Sequence, residues 1–387
     1  MPAPRGGWQP DGGAGWGIGF GRFGRQEGGR GRHKPEHALT RGEDIALGAW
    51  APPPGLRLVP MGAKLASLPG LGGFLPPGVR LRPLPFGLLG ADALLGWGRK
   101  GSGARARRLG RLLGKPVVTL EDGFVRSLGL GVAGAPALSV VVDDLGVHYD
   151  AHAPSRIEVM LEQGGWESAA LLARARAAMA EMRRLRISKY NFGAEPSPAT
   201  AALLGAGPFV LCVDQTAGDA SVALGGAGPD SFRRMLAAAR AENLGARILV
   251  KTHPDVVAGL RRGLVDPADA ARAGAVVIGE ALDPWLLLER ATRVYTVTSQ
   301  LGLEALVAGV PVRCFGLPFH AGWGATEDEI PCPRRTRRRS AEEIFAAAYL
   351  LYTRYADPQT GAPRTLEETM AAIAAARGVP HSGAVAL

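Results

Sequence analysis

An α/β protein built from two sheet-bearing halves is the fold class that the sequence predicts, on three observations. The chain has 387 residues, more than one hydrophobic core of ordinary size organises. From residue 56 onward, short apolar runs alternate with helical stretches, the rhythm of parallel strands covered on both faces. Polar residues recur just after those runs, where open α/β sheets hold their ligands.

Taken in order, residues 1–50 form a basic tail whose glycines crowd the first thirty positions. The tail has no sustained helical or alternating period and reads as a disordered extension outside the fold. The first half, 51–205, carries the runs LRLVPMG (56–62), ADALLGWG (91–98), PVVTLED (116–122) and LSVVVDD (138–144), then a long Ala/Arg-rich helix over 167–186. Gly, Pro and Ser cluster in SKYNFGAEPSPATAALLGAGPF (188–209), which marks the break. The second half, 206–387, repeats the rhythm with FVLCVDQ (209–215), a helix over 230–243, RILVKTHP (247–254), AVVIGE (275–280), RVYTVTS (293–299) and PVRCFG (311–316).

Composition narrows the function classes. Cys212, Cys314 and Cys332 show neither CxxC spacing nor a histidine pair, which speaks against zinc and against a disulfide framework, and no metal is expected. No apolar run reaches the roughly 18 residues that span a bilayer, so a cytosolic protein, free or attached to a membrane surface, is the expectation. The net charge is +10, with a local concentration in PRRTRRRS (333–340). That run is either a solvated loop or an attraction to anionic lipid head groups or an anionic substrate. Without a recognisable nucleic-acid motif, no nucleic-acid partner is expected, and the Gly/Arg tail carries that alternative alone.

The polar strand ends carry the chemistry. Thr298, Ser299 and Gln300 fall where a helix begins, so hydroxyls and free backbone N–H groups are available to a nucleotide phosphate, although Ser299 serves equally as a plain helix cap. Glu304, one turn on, is within reach of a ribose hydroxyl or is an ordinary first-turn acid. Pro254 fixes the backbone beside His253 and leaves the imidazole at a sheet edge, with Lys251 on the same face. Asp214, Gln215, Asp219 and Ser221 are usual loop formers, yet a carboxylate at a cleft also serves as nucleophile, base or acid. Glu121 and Asp122 sit side by side after a strand, where like-charge repulsion tends to keep one protonated unless Arg126 relieves it. Such a pair suits acid–base work.

GWGRKGSGARA, LEDGFVRSLGLG, LSVVVDDLGVHYDAHAPSRIEVML, ISKYNFG, QTAGDAS, KTHPD, TVTSQLGLEALVAGVPVRCFGLPFHAGWGATED and LYTRYADPQTG occur in this order. Over residues 95 to 360 or so they resemble the capsule-polysaccharide β-Kdo glycosyltransferases of the KpsC type. The resemblance implies a GT-B-like fold of two Rossmann-type domains with a cleft between them, the first on the acceptor side and the second on the donor side. It further implies CMP-Kdo as donor, retention of configuration, and an anionic lipid-linked acceptor such as a phosphatidylglycerol-type glycolipid. Capsule assembly proteins are implied as partners, and the cytoplasmic face of the inner membrane as the place of work. Carried onto this chain, Asp219 is the expected nucleophile and Glu121 the acid/base, with Asp122 in reserve for either role. Gln215, Ser221, Lys251, His253, Pro254, Thr298, Ser299, Gln300 and Glu304 are expected on the donor. Arg126 or Lys100 would neutralise the sugar carboxylate or the acid pair. His320, Leu303 and His148 depart from the family pattern, where Tyr, Phe and an aromatic residue are common. An inverting transferase of another CMP-activated acidic sugar, resembling bacterial sialyltransferases, and a non-catalytic capsule assembly or export factor are the alternatives.

Overall fold

The computed structural model describes residues 49–129 and 134–378. The predicted tail lies outside the described residues except for its last two positions, and there the boundary moves. Trp50 is 2 % exposed and packs with Leu56, Phe74 and Leu95, so this indole belongs to the core.

The first sheet has seven strands in the order β13-β12-β5-β4-β3-β1-β2. In chain order these are β1 (Arg57–Pro60), β2 (Arg80–Leu81), β3 (Ala93–Trp97), β4 (Val117–Asp122), β5 (Ser139–Asp143), β12 (Thr353–Ala356) and β13 (Pro363–Arg364). β2, β1, β3 and β4 are parallel, whereas β5 runs antiparallel to β4. That departs from the all-parallel expectation. A parallel partner needs a crossover, usually a helix, and the Gly- and Pro-punctuated connection from Gly123 to Leu138 supplies none among its described residues.

The second sheet has six strands, all parallel: β6 (Phe209–Val213), β7 (Arg247–Lys251), β8 (Ala275–Ile278), β9 (Ala291–Thr296), β10 (Val312–Cys314) and β11 (Glu327–Asp328). Their order, β8-β7-β6-β9-β10-β11, is that of a dinucleotide-binding sheet with its reversal between β6 and β9. β6 is buried along its whole length, as a continuous FVLCV run requires.

The second half does not keep its C-terminus. A π-helix over Ala346–Tyr352 leads the chain back to the first sheet, where β12 pairs with β5 and β13 with β12. Residues 353–364 therefore belong to the first sheet, a correction to the 206–387 boundary. Strands this short carry too weak an alternation to be assigned to a distant sheet. One apolar cluster joins the halves, from Phe124, Val141 and Ile157 through the helix Ala169–Leu185 to Leu211, Leu249 and Val294.

The arginine run at 333–340 is an internal strap rather than a free basic loop. Arg334 and Arg335 both pair with Glu158, at 2.6 and 2.9 Å. Arg335 also donates to the carbonyls of Pro318 and Ala321, and Arg339 donates to Leu161 O and pairs with Glu167 and Glu343. Arg335 and Arg339 are buried, a position that arginine tolerates when its fork is paired; Arg335 uses Nε, Nη1 and Nη2, and Arg339 uses Nε and Nη1. Among the described residues, no helix is long and apolar enough to cross a membrane.

Candidate active site

All twelve residues predicted as catalytic or donor-binding line one cleft of about 280 Å³ at the carboxyl ends of β4, β6, β7 and β9. Its first wall starts from Gly98, after β3, at φ +56°. A Cβ there would stand 2.6 Å from Glu121 Oε2 and 3.0 Å from Tyr149 Oη, so the glycine makes room for the carboxyl. Glu121 Oε1 accepts from Trp97 Nε1 and from Asp122 N, both at 3.0 Å, and Oε2 accepts from Tyr149 Oη at 2.9 Å. Burial, and then the charge of Asp122, push the Glu121 carboxyl above its ordinary range, against the hydrogen bonds and Lys189. Asp122 is instead paired with Arg126, whose Nε lies 3.1 Å from Oδ1.

The second wall straddles the β6/β9 reversal. The amide of Gln215 ties the two strand-end loops together. Its Nε2 donates to Thr298 Oγ1 at 3.0 Å and Asp219 Oδ2 at 3.2 Å, and its Oε1 accepts from Thr298 N at 2.9 Å. Ser221 Oγ lies 3.1 Å from Thr298 Oγ1. Asp219 caps the short helix Ala220–Leu224 through Oδ1, accepting from Ser221 N at 2.9 Å. Ser299 Oγ accepts from Leu301 N at 3.2 Å, so its cap role is real as well.

His253 Nδ1 accepts from Asp255 N at 3.1 Å, and burial takes its pKa down to about 4. The neutral ring therefore carries its proton on Nε2, a donor suited to a phosphate oxygen. Lys251 is buried beside it and lowered in pKa by that burial. Glu304 lines the cleft from the helix Leu301–Ala308. It is 2 % exposed, Oε1 accepts from Lys189 N at 3.0 Å, and burial raises its pKa to about 7.

Of the two predicted neutralising cations, Arg126 pairs with Asp122 of the acid pair, one of the two roles expected of it. Lys100 Nζ donates to Gly218 O at 2.8 Å, across the cleft mouth, and Arg126 is spent on Asp122 and on Ala135 O. Besides Lys251, the cleft is lined by a second lysine, Lys189 of the ISKYNFG loop, which no sequence signal singled out. Its ammonium forms no ion pair among the described residues. Burial alone would lower it, but Tyr190, Asp122, Glu121 and Asp219 outweigh that and raise it, so it stays charged in the cleft that the three candidate carboxylates also line. His320 also lines the cleft, 1 % exposed and with neither ring nitrogen hydrogen-bonded.

Two Rossmann-type sheets with a polar cleft at their strand ends define a protein of GT-B-like fold. The chain belongs to the capsule polysaccharide biosynthesis protein family, which matches residues 92–356. Among solved structures it resembles Thermosulfurimonas dismutans KpsC, beta Kdo 2,4 transferase, at 41 % identity and a TM-score of 0.75, over 82 % of this chain and 98 % of that one. The beta Kdo 2,7 transferase of the same protein is 26 % identical with a TM-score of 0.59, over 83 % of this chain and 99 % of that one. Among curated proteins, the capsule polysaccharide modification protein LipA of Neisseria meningitidis serogroup B is 41 % identical over 278 residues, 70 % of this chain and 39 % of LipA. The lipopolysaccharide-processing protein LpsZ of Rhizobium meliloti is 38 % identical over 268 residues, 69 % of this chain and 60 % of LpsZ. The chain thus spans 39 % to 60 % of the length of these curated relatives.

Proposed function

We propose that this chain is a retaining Kdo transferase that uses CMP-Kdo and delivers the sugar to a lipid-linked or glycan acceptor in surface-polysaccharide synthesis. The observation that carries the reading is one cleft lined together by the ammonium of Lys189, the carboxylates of Asp219, Glu121 and Asp122, and the hydroxyls, imidazole and lysine of the opposite wall. Similarity to the two Kdo transferases of KpsC supports the sugar. An acidic sugar brings its own carboxylate, and Lys189 is the cation proposed to hold it.

In the first step a carboxylate oxygen of Asp219 attacks the anomeric carbon, the bond to the phosphate oxygen breaks, and CMP leaves with the electron pair. Lys251, His253 Nε2–H and the hydroxyls of Thr298 and Ser299 hold the charge that develops on the phosphate. In the second step an acceptor hydroxyl attacks the same carbon, its proton passes to ionised Glu121, and Asp219 departs as carboxylate. Two inversions retain configuration. A carboxyl raised above its ordinary range is a stronger base near neutrality than a solvated one, which suits Glu121 to this task.

Intact-protein mass spectrometry after incubation with CMP-Kdo and no acceptor tests this reading. A Kdo-sized adduct is expected on the wild type and on Glu121→Gln, and none on Asp219→Ala. CMP release without an adduct at any time point would replace double displacement with the inverting route, and no binding of CMP-Kdo would remove the enzyme assignment.

A further inference from the structure

The net charge of the chain has an address. Residues 51–120 hold eleven of the 45 Lys and Arg residues but only one, Asp92, of the 35 Asp and Glu, so this stretch accounts for the whole formal charge of +10. It lies in the first half, and while Arg57, Arg99, Lys100, Arg105, Arg107 and Lys115 have side-chain partners, the others have none among the described residues. Arg80, Arg82, Arg108 and Arg111 are exposed, and their side chains form no hydrogen bond or ion pair among the described residues.

The same region exposes bulky apolar side chains. Phe86 is 83 % exposed, Leu89 92 % and Leu112 71 %. They belong to one surface. The turn Phe86–Gly90 and the helix Gly101–Leu113 pack on the same core, through Leu88 and Leu109 against Val59, Met61 and Ala106. Lys115, just past the helix, donates to Ala91 O at 2.6 Å, just past the turn. Arg82 and Phe86 share the wall of one hollow, so cation and ring are neighbours. β2, which carries Arg80, is the outer edge strand of the sheet.

We propose that this edge of the first sheet, from Arg80 to Leu89 with the C-terminal end of the helix Gly101–Leu113, docks on an anionic lipid bilayer. Arginines lie at the level of the head groups while Phe86 and Leu89 enter the boundary with the acyl chains. Charge and apolarity together select this partner. A nucleic acid would use the arginines but leave Phe86 and Leu89 without a purpose, and a second copy would bring arginine against arginine. The surface is separate from the cleft, so the proposal stands whether or not the Kdo reading does.

The test is co-sedimentation of the full chain, without sugar nucleotide, with vesicles of phosphatidylcholine alone or with roughly one part in three of phosphatidylglycerol. The wild type is expected to sediment with the anionic vesicles only, and less at high salt. Arg80→Gln with Arg82→Gln weakens binding about 30-fold, at about fivefold per charge. Phe86→Ser with Leu89→Ser weakens it at least about tenfold. All four positions are exposed, and unchanged melting curves confirm that the variants fold. Wild type left in the supernatant overturns the proposal, as does apolar-variant binding equal to wild type. DNA binding that the arginine variant loses and the apolar variant keeps would assign the surface to nucleic acid, and a dimer that the apolar variant abolishes would assign it to a second copy.

Discussion

Gly98→Ala tests the first wall of the cleft without removing any group proposed to react. At φ +56° an L side chain costs roughly 1 kcal/mol. The new Cβ would stand 2.6 Å from Glu121 Oε2, so the carboxyl must retreat by ~0.8 Å to reach ordinary contact, and the 2.9 Å bond from Tyr149 is lost with it. A hydrogen bond to a carboxylate contributes about 1.5–3 kcal/mol, so the total destabilisation is about 3 kcal/mol. It is read as a lower urea midpoint at unchanged slope. A displacement approaching an ångström at a proton-transfer group costs on the order of 100-fold in rate, measured as Kdo transfer at saturating donor. Tyr149→Phe is the control: it removes the hydrogen bond, leaves the backbone alone, and should give the larger part of the stability loss. A Gly98→Ala protein with wild-type midpoint and rate would refute the contact between Gly98, Glu121 and Tyr149 on which the first wall rests.

The other expectations concern charge. In the proposed mechanism Glu121 acts as a base when ionised, so the transfer rate is expected to fall as pH drops through its raised pKa, on a limb above the ordinary carboxylate range. Asp122→Asn removes the charge that raises it and moves the limb down, while Lys189→Met removes a charge that lowers it, moves the limb up and raises the donor KM at least about tenfold. Glu304 binds its proton more tightly folded than unfolded, since its pKa goes from 4.5 to about 7. Its contribution to stability is complete below the unfolded value and is lost as pH rises through about 7. Glu304→Gln should therefore match the wild type at acid pH in urea titrations and exceed it above pH 7 by roughly 2–3 kcal/mol. In the strap, Arg335→Met costs about 3 kcal/mol by leaving buried Glu158 under-paired, whereas exposed Arg338→Met stays within about 0.5 kcal/mol, both read by thermal melts.

Much of this arrangement is legible in the sequence because it depends on local pattern. Each of the nine apolar runs forms a strand, and the polar clusters after Leu120, Val213, Lys251 and Thr296 do come together, since parallel strands carry their carboxyl ends to one side. What stays hidden depends on partners far along the chain. Thr353–Ala356 becomes a strand because β5 lacks a neighbour on that side, which its own sequence does not record. Arg335 and Arg339 look like solvated charge until Glu158 and Glu167 are placed against them. Lys189 fails for the opposite reason. A lysine in a Gly- and Pro-flanked loop reads as a solubilising residue, and its importance comes from three carboxylates that line its cleft from two different sheets.

Three of the bonds that cross between the halves land beside the proposed reacting groups. Lys100 Nζ holds the carbonyl of Gly218, one residue before Asp219. Gln300 Nε2 donates at 2.7 Å to the carbonyl of Phe124, two residues after Asp122. Glu304 accepts from the backbone of Lys189, the residue whose ammonium shares the cleft with all three acids. None of these groups needs to touch a substrate to matter, because each fixes the backbone at or within two residues of a group proposed to act on it. The return of the chain through β12 and β13 ties the second half to the first sheet once more. Asp219 and Glu121 are thus positioned relative to each other by the joint between the halves as much as by their own strands. Lys100→Met tests this coupling directly. If the joint positions Asp219, the variant lowers the rate of adduct formation from CMP-Kdo several-fold while leaving donor affinity unchanged, because no donor contact is removed. An unchanged adduct rate would mean that the loop before Asp219 holds its place without help from the first half.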